Sequence, residues 1–263
     1  MNNLRQIVVG VNMFANNNDN RYPPTMAYTG KSSMWSYSDL RNMAAIYKRS
    51  GASKRSLSSY LSPYLPVSSI FQCPSAPVEC EDLTGMWQEG ENWRPNNTRR
   101  MYRGSYSFYW DYVGYIQSRV DGEFDTVFRG AKRPAVGNRY SSLLVSDGMV
   151  FGEFGSQDST RPAFTSCEWF GGASQQSGPI GEVVRSPHWR SESIGKRTSE
   201  NCPNVSLHAG YADGHVWEYE ASDALRIRRI IDRDMTIDSD PEDGRYPGPG
   251  EFYVPQDALP KGN

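Results

Sequence analysis

Several things are scarce in this sequence, and each scarcity excludes something. Only three of its 263 residues are histidine (His188, His208, His215) and only four are cysteine. The 28 lysines and arginines fall short of the 30 aspartates and glutamates, for a net charge of −2. Without a basic excess there is nothing to hold a phosphate backbone, so no nucleic-acid partner is expected. No apolar run approaches the roughly 18 residues that cross a bilayer as a helix. The opening Met1-Asn2-Asn3-Leu4 lacks the charged start and apolar stretch of a secretory signal. GxSxG, HExxH, P-loop and GxGxxG patterns are missing, which removes the common hydrolase, zinc-protease and nucleotide-binding signatures. Nothing places a histidine beside a serine and a carboxylate as a catalytic triad requires. The expectation is a protein that is not an enzyme.

Aromatic residues, glycine and proline are plentiful. Sixteen tyrosines and seven tryptophans favour strands, and 24 glycines with 17 prolines punctuate them with turns. Strands with long loops and few helices follow, over a chain long enough for a real core. The four cysteines, Cys73, Cys80, Cys167 and Cys202, allow three pairings. Proximity in sequence favours Cys73–Cys80 and Cys167–Cys202, in an oxidising compartment; four free thiols in a cytosolic protein are the alternative. Their spacing lacks the short C-x2–4-C knuckle of structural zinc sites.

Leu4, Ile7, Val8, Val11, Phe14 and Ala15 recur at helical steps, which predicts an amphipathic helix at the start of the chain, with Gln6, Gly10 and Asn12 off its stripe. The helix should end in Asn16–Asn20, a run suited to turns and left-handed backbone, and Pro23-Pro24 forces an extended exit. No capping residue precedes it, which reads as a helix continued from upstream. A second helix is predicted over Asp39–Arg49 and a third over Ser222–Arg233. Leu57–Leu61 reads as a short helix or turn, and Ile70–Pro74 as a short strand. Residues 76–100 look irregular. Arg103–Gln117 carries an imperfect strand pattern, and Ser142–Val145 with Val150–Phe154 suggests a hairpin about Asp147-Gly148. Loops are expected from Ser156 to Asn204. The strongest hairpin signal is Val205–Ala212 returning as His215–Tyr219, with Asp213-Gly214 as a two-residue turn in which both residues take positive φ. The last thirty or so residues read as an acidic, then Pro/Gly-rich surface tail.

Three local signatures stand in a fixed order: Met1-Asn2-Asn3-Leu4-Arg5-Gln6-Ile7 running into Tyr22-Pro23-Pro24, then Phe71-Gln72-Cys73-Pro74-Ser75, then Tyr211-Ala212-Asp213-Gly214-His215-Val216. In this order the chain resembles the type IV pilin-like family, specifically planctomycete-type pseudopilins with a prepilin cleavage and methylation segment. It departs from one subgroup pattern, because only four residues intervene between His208 and Asp213-Gly214, and residues 76–204 match nothing in the family. The resemblance implies an α+β fold: a pilin-like head in which an N-terminal helix packs on an antiparallel sheet. Residues 1–22 would be the remnant of the pilin helix and 23–263 a single β-rich head. It implies a non-catalytic subunit of a pilus-like or type II secretion pseudopilus assembly, outside the cytoplasm, anchored in the membrane by an apolar half-helix upstream. Leu4, Ile7, Val8, Val11 and Phe14 would be the face that meets other subunits.

Resembling pseudopilins can hold calcium in a loop of the head, and Asp238, Asp240, Glu242 and Asp243 supply hard oxygens at close spacing. An EF-hand they are not, since Asp243 stands at the glycine position; a solvated acidic tail is the plainer reading. His208, Asp213 and His215 form the nearest approach to a metal-ligating set, although turn chemistry alone accounts for Asp213-Gly214. No other cofactor is expected. The aromatic run from Tyr102 to Tyr115 is either sheet core or, in the alternative functional reading, the platform of an extracellular carbohydrate-binding module. A secreted hydrolase with an unrecognised site is the third reading.

Overall fold

The computed structural model describes residues 1–27, 40–45, 55–74, 83–92, 101–117, 124–133, 139–148, 150–154, 181–185, 206–220, 223–229 and 251–259. These form an α+β structure of one long N-terminal helix, two short helices and antiparallel strands in three sheets.

Helix α1 spans Asn2–Asn17. Its stripe is buried as the periodicity requires: Leu4, Ile7, Val8, Val11 and Ala15 lie in the core, and Phe14 is half-buried. Gly10 is not off the stripe; it too is buried, beneath Leu65. The helix closes as its asparagine run predicts. Asn18 Nδ2 donates to the Phe14 carbonyl at 2.8 Å, and Asp19 and Asn20 take positive φ of 51° and 56°.

A four-stranded sheet lies under α1. Its order is β11 (Val216–Glu220), β10 (Ser206–Tyr211), β7 (Leu143–Asp147), β4 (Tyr106–Phe108). Strand β7 is buried at every position, because both faces of the sheet are covered. One face meets α1, α2 (Ser58–Leu61), α3 (Thr84–Glu89) and the 3-10 turn Ser68–Phe71 in a core built around Ile7, Val8, Leu61, Phe71, Trp87 and Trp110. The other face meets a six-stranded sheet through Leu207, Ala209, Tyr211, Phe128, Ile227 and Val254. That sheet runs β6 (Phe124–Arg129), β5 (Val113–Gln117), β12 (Ala224–Arg229), β13 (Glu251–Pro255), β8 (Val150–Phe154), β9 (Gly181–Arg185). A small third sheet joins β1 (Asn42–Ala45) to β2 (Arg55–Ser56) and β3 (Met101–Arg103).

Close helix–sheet approach depends on one glycine. A Cβ on Gly210 would stand 2.6 Å from Val8 Cγ2 and 3.1 Å from Val145 Cγ1. The missing side chain therefore lets α1 rest on β10.

Several sequence expectations are corrected. Within Asp39–Arg49, residues 42–45 form strand β1, and within Ser222–Arg233, residues 224–229 form β12. Pairing to β2 and β3 outweighed a helical stripe in the first, and in the second Leu225 and Ile227 alternate with arginines at the period of a strand. Ser68–Phe71 is a 3-10 turn, not a strand. The irregular stretch holds helix α3. Strands β7 and β8 do not form a hairpin, since they belong to different sheets. The chain's end is no mere surface tail: β13 pairs with both β12 and β8 inside the six-stranded sheet. The 156–204 stretch contributes strand β9, and its other residues lie outside those described.

Candidate functional site

Two features of α1 bear on function. The stripe expected to meet other subunits is turned inward, against the chain's own sheet. Leu4, Ile7, Val8 and Val11 are at most 1% exposed, and Phe14 stands edge-on to Tyr60 and Tyr64 at 6.0 and 6.1 Å. A stripe that supplies the core cannot also be a free interface. The outward face carries apolar groups of its own. Met1, Val9 and Met13 are 51%, 55% and 46% exposed, beside polar Asn2, Arg5 and Gln6. The helix is pinned to the body by amide side chains at its flanks. Asn3 Nδ2 donates to the Gln72 carbonyl at 2.9 Å and Asn12 Nδ2 to the Ala212 carbonyl at 3.1 Å.

At the end of β7, on the face that meets α1, lies a buried polar pair that the sequence reading missed. Asp147 accepts from the His208 backbone N–H at 2.8 Å and meets His208 Nδ1 at 3.0 Å. The carboxylate is 2% exposed and the imidazole 15%. A buried carboxylate needs such partners. On the opposite face the Tyr109 hydroxyl donates to Ser146 Oγ at 2.9 Å, and Ser146 in turn donates to the Asp147 carbonyl at 3.0 Å. An aspartate-oriented imidazole is half of a triad, but Ser146 is committed on the other side of the strand. The pair thus ties β7 to β10.

His208, Asp213 and His215 do not come together. His208 sits opposite Glu218 in the β10–β11 register, with its ring on Asp147. Asp213 accepts from the His215 N–H at 3.2 Å and from its ring, in the turn. Among the described residues no three acidic, histidine or cysteine side chains could hold a metal ion. Slight burial raises the Asp213 carboxyl, and the hydrogen bonds and charge of His215 outweigh it to hold the group below its ordinary value. Asp238, Asp240, Glu242 and Asp243 lie outside the described residues, as do Cys80, Cys167 and Cys202. Cys73 is buried beside Tyr106, whose phenol is pushed above its ordinary value first by burial and then by the charges of Cys73 and Asp147.

The hairpin turn differs from expectation. Gly214 N–H donates to the Tyr211 carbonyl at 3.0 Å, so Ala212-Asp213 are the central residues, and only Gly214 takes positive φ, at 99°. It is a one-residue bulge next to a common turn. This geometry stacks Tyr211 on His215 at 4.3 Å and 7°, and the Tyr211 hydroxyl donates to Asp257 at 2.8 Å.

The middle of the aromatic run is core, Tyr115 is half-buried, and the Tyr102 side chain lies outside those described. Tyr106, Phe108, Tyr109, Trp110 and Tyr112 are at most 3% exposed, so they offer no platform to a glycan. Among the described residues the exposed aromatic is instead Trp217, 61% exposed on β11, where it borders a groove of about 990 Å³. Its signal in the sequence was only the position of an indole in a strand.

Comparison of the chain with protein-family models, with curated proteins and with solved structures finds no match. Among the described residues no helix is long and apolar enough to cross a membrane.

Proposed function

We propose that this chain is the non-catalytic, extracytoplasmic head of a pilin-like subunit of a filament or secretion pseudopilus. One observation carries the reading: a single long N-terminal helix laid by its apolar stripe along a four-stranded antiparallel sheet, with a second apolar strip, Val9 and Met13, left facing outward. A helix held in this way is rigid and addressable from one side. Stacking copies by a repeated head-to-tail contact generates an open helical assembly. In this reading the inward stripe holds the head together, and the partners, other pilin-like subunits, meet the Val9–Met13 face. A further requirement is an apolar stretch of about twenty residues encoded upstream, to reach the membrane or the filament core.

The test separates the two faces in the full-length protein. Val9→Asp with Met13→Asp should block incorporation into filaments while the head keeps its thermal midpoint, since exposed positions tolerate charge within about 0.5 kcal/mol. Val11→Asp buries a charge and should unfold the head outright. Normal incorporation of a folded Val9→Asp/Met13→Asp protein would sink the proposal.

A further inference from the structure

Strand β11 ends the four-stranded sheet, and among the described residues nothing pairs with its outer side. The alternation of the β10–β11 ladder shows which groups are left. Tyr211 N–H donates to the His215 carbonyl, so His215, Trp217 and Tyr219 turn their backbone toward β10. Val216, Glu218 and Glu220 therefore present their N–H and C=O groups to the open edge.

The groove of about 990 Å³ runs along this same edge, and all five residues of β11 line it. Its walls come from the two layers that sandwich the sheet. Met1, just ahead of α1, stands on one side, and Asp223, Gln256 and Asp257 on the other. An edge strand lying in a slot between two layers is the geometry that accepts an added strand. The slot also has a sign. Glu218 and Glu220 face the α1 side, and Asp223 and Asp257 the opposite side, while no lysine or arginine is among the described residues lining it. Among the described residues Glu220 Oε2 is sealed from solvent and has no hydrogen-bond partner. Trp217 offers an exposed indole face, to which a cationic side chain is attracted.

We propose that the β11 edge binds an extended, lysine- or arginine-bearing polypeptide segment as a fifth strand. Backbone bonds to Val216, Glu218 and Glu220 would hold it in register. The carboxylates on both faces and Trp217 would select basic side chains. This surface shares only Met1 with the outward apolar groups at the start of the chain and includes neither Val9 nor Met13, so it stands or falls independently of the assembly reading.

The experiment uses the chain as it is, with two capped peptides of about eight residues, long enough to span the strand. One alternates lysine with threonine and the other glutamate with threonine. The lysine peptide should bind saturably, change a fluorescence signal that Trp217→Phe removes, and slow hydrogen exchange at the Val216, Glu218 and Glu220 amides. Glu218→Gln with Glu220→Gln should weaken it about tenfold or more. Glu218→Pro removes an outward N–H without breaking a bond to β10, so the fold should survive and binding should be lost. Binding that persists in a folded Glu218→Pro protein would overturn strand addition. Equal binding of the glutamate peptide would overturn the charge selection. Failure of both peptides to bind, with self-association of the glutamine variant, would show instead that the acidic edge keeps copies of the chain apart.

Discussion

At Gly210 the absence of a side chain sets how near a helix can lie to a sheet. In an unstrained strand position, alanine in place of glycine stabilises slightly, by narrowing the unfolded ensemble. Here the new Cβ would come 2.6 Å from Val8 Cγ2. The clash wins, because both layers are packed and over-packing costs about 1–3 kcal/mol. Gly210→Ala is expected to lower stability by about 2 kcal/mol in urea unfolding. Adding Val8→Ala, which removes the opposing methyl, should recover part of that loss relative to Val8→Ala alone. Additive losses in the double variant would mean that the two residues do not meet. Asp147 teaches a related lesson. Its neighbour Gly148 marks it only as a turn residue, yet the fold brings it against His208, sixty-one positions away.

At the level of elements, the β10–β11 hairpin shows a signal read correctly in kind and wrongly in detail. Asp213-Gly214 does mark the reversal, but one positive φ suffices, at Gly214. Open space surrounds the place of its missing Cβ, so conformation alone sets the cost of replacing it. Gly214→Ala should destabilise by about 1 kcal/mol without repacking anything, checked by the urea midpoint and by unchanged Tyr211–His215 stacking in ring-current shifts. A larger loss would mean that the turn has steric neighbours. Strand β12 was legible too and was misread. Leu225 and Ile227 are buried, and Arg226 and Arg228 alternate with them, a period of two that a helical reading passed over. For β1 the apolar residues Leu40, Met43 and Ala44 fit a helical face equally well, and only its partners β2 and β3 settle the matter.

For the whole molecule, the consequence of so many buried tyrosines is sensitivity to alkali. Burial pushes the Tyr106, Tyr109, Tyr211 and Tyr219 phenols above their ordinary value of 10.0. A raised value means that the fold binds the proton more tightly than the unfolded chain does. The associated stability is complete below pH 10 and is lost as the pH climbs from there toward the folded-state values. For the most deeply buried, Tyr109 and Tyr219, each steepens the fall by up to about 1.4 kcal/mol per pH unit. The thermal midpoint should be insensitive to these groups up to about pH 9 and drop steeply beyond 10. Tyrosinate absorbance should rise in two stages, the second together with loss of near-ultraviolet circular dichroism. A single ordinary titration near 10 with the dichroism intact would contradict the burial.

The sequence by itself determined what depends on local periodicity and turn chemistry. These are the α1 stripe from Leu4 to Ala15, its asparagine-rich end, the short helix at Ser58–Leu61, the β10–β11 hairpin, and the mixture of helix and antiparallel strand. Each is a property of neighbours along the chain. Only the tertiary structure decided which face of α1 is free, because burial depends on what packs against it. It alone placed β7 and β8 in different sheets, threaded β13 between β12 and β8, joined Asp147 to His208, and left β11 as an edge beside Trp217. Contacts between residues far apart in sequence leave no local period to read, since the free energy that selects them appears only when the layers close.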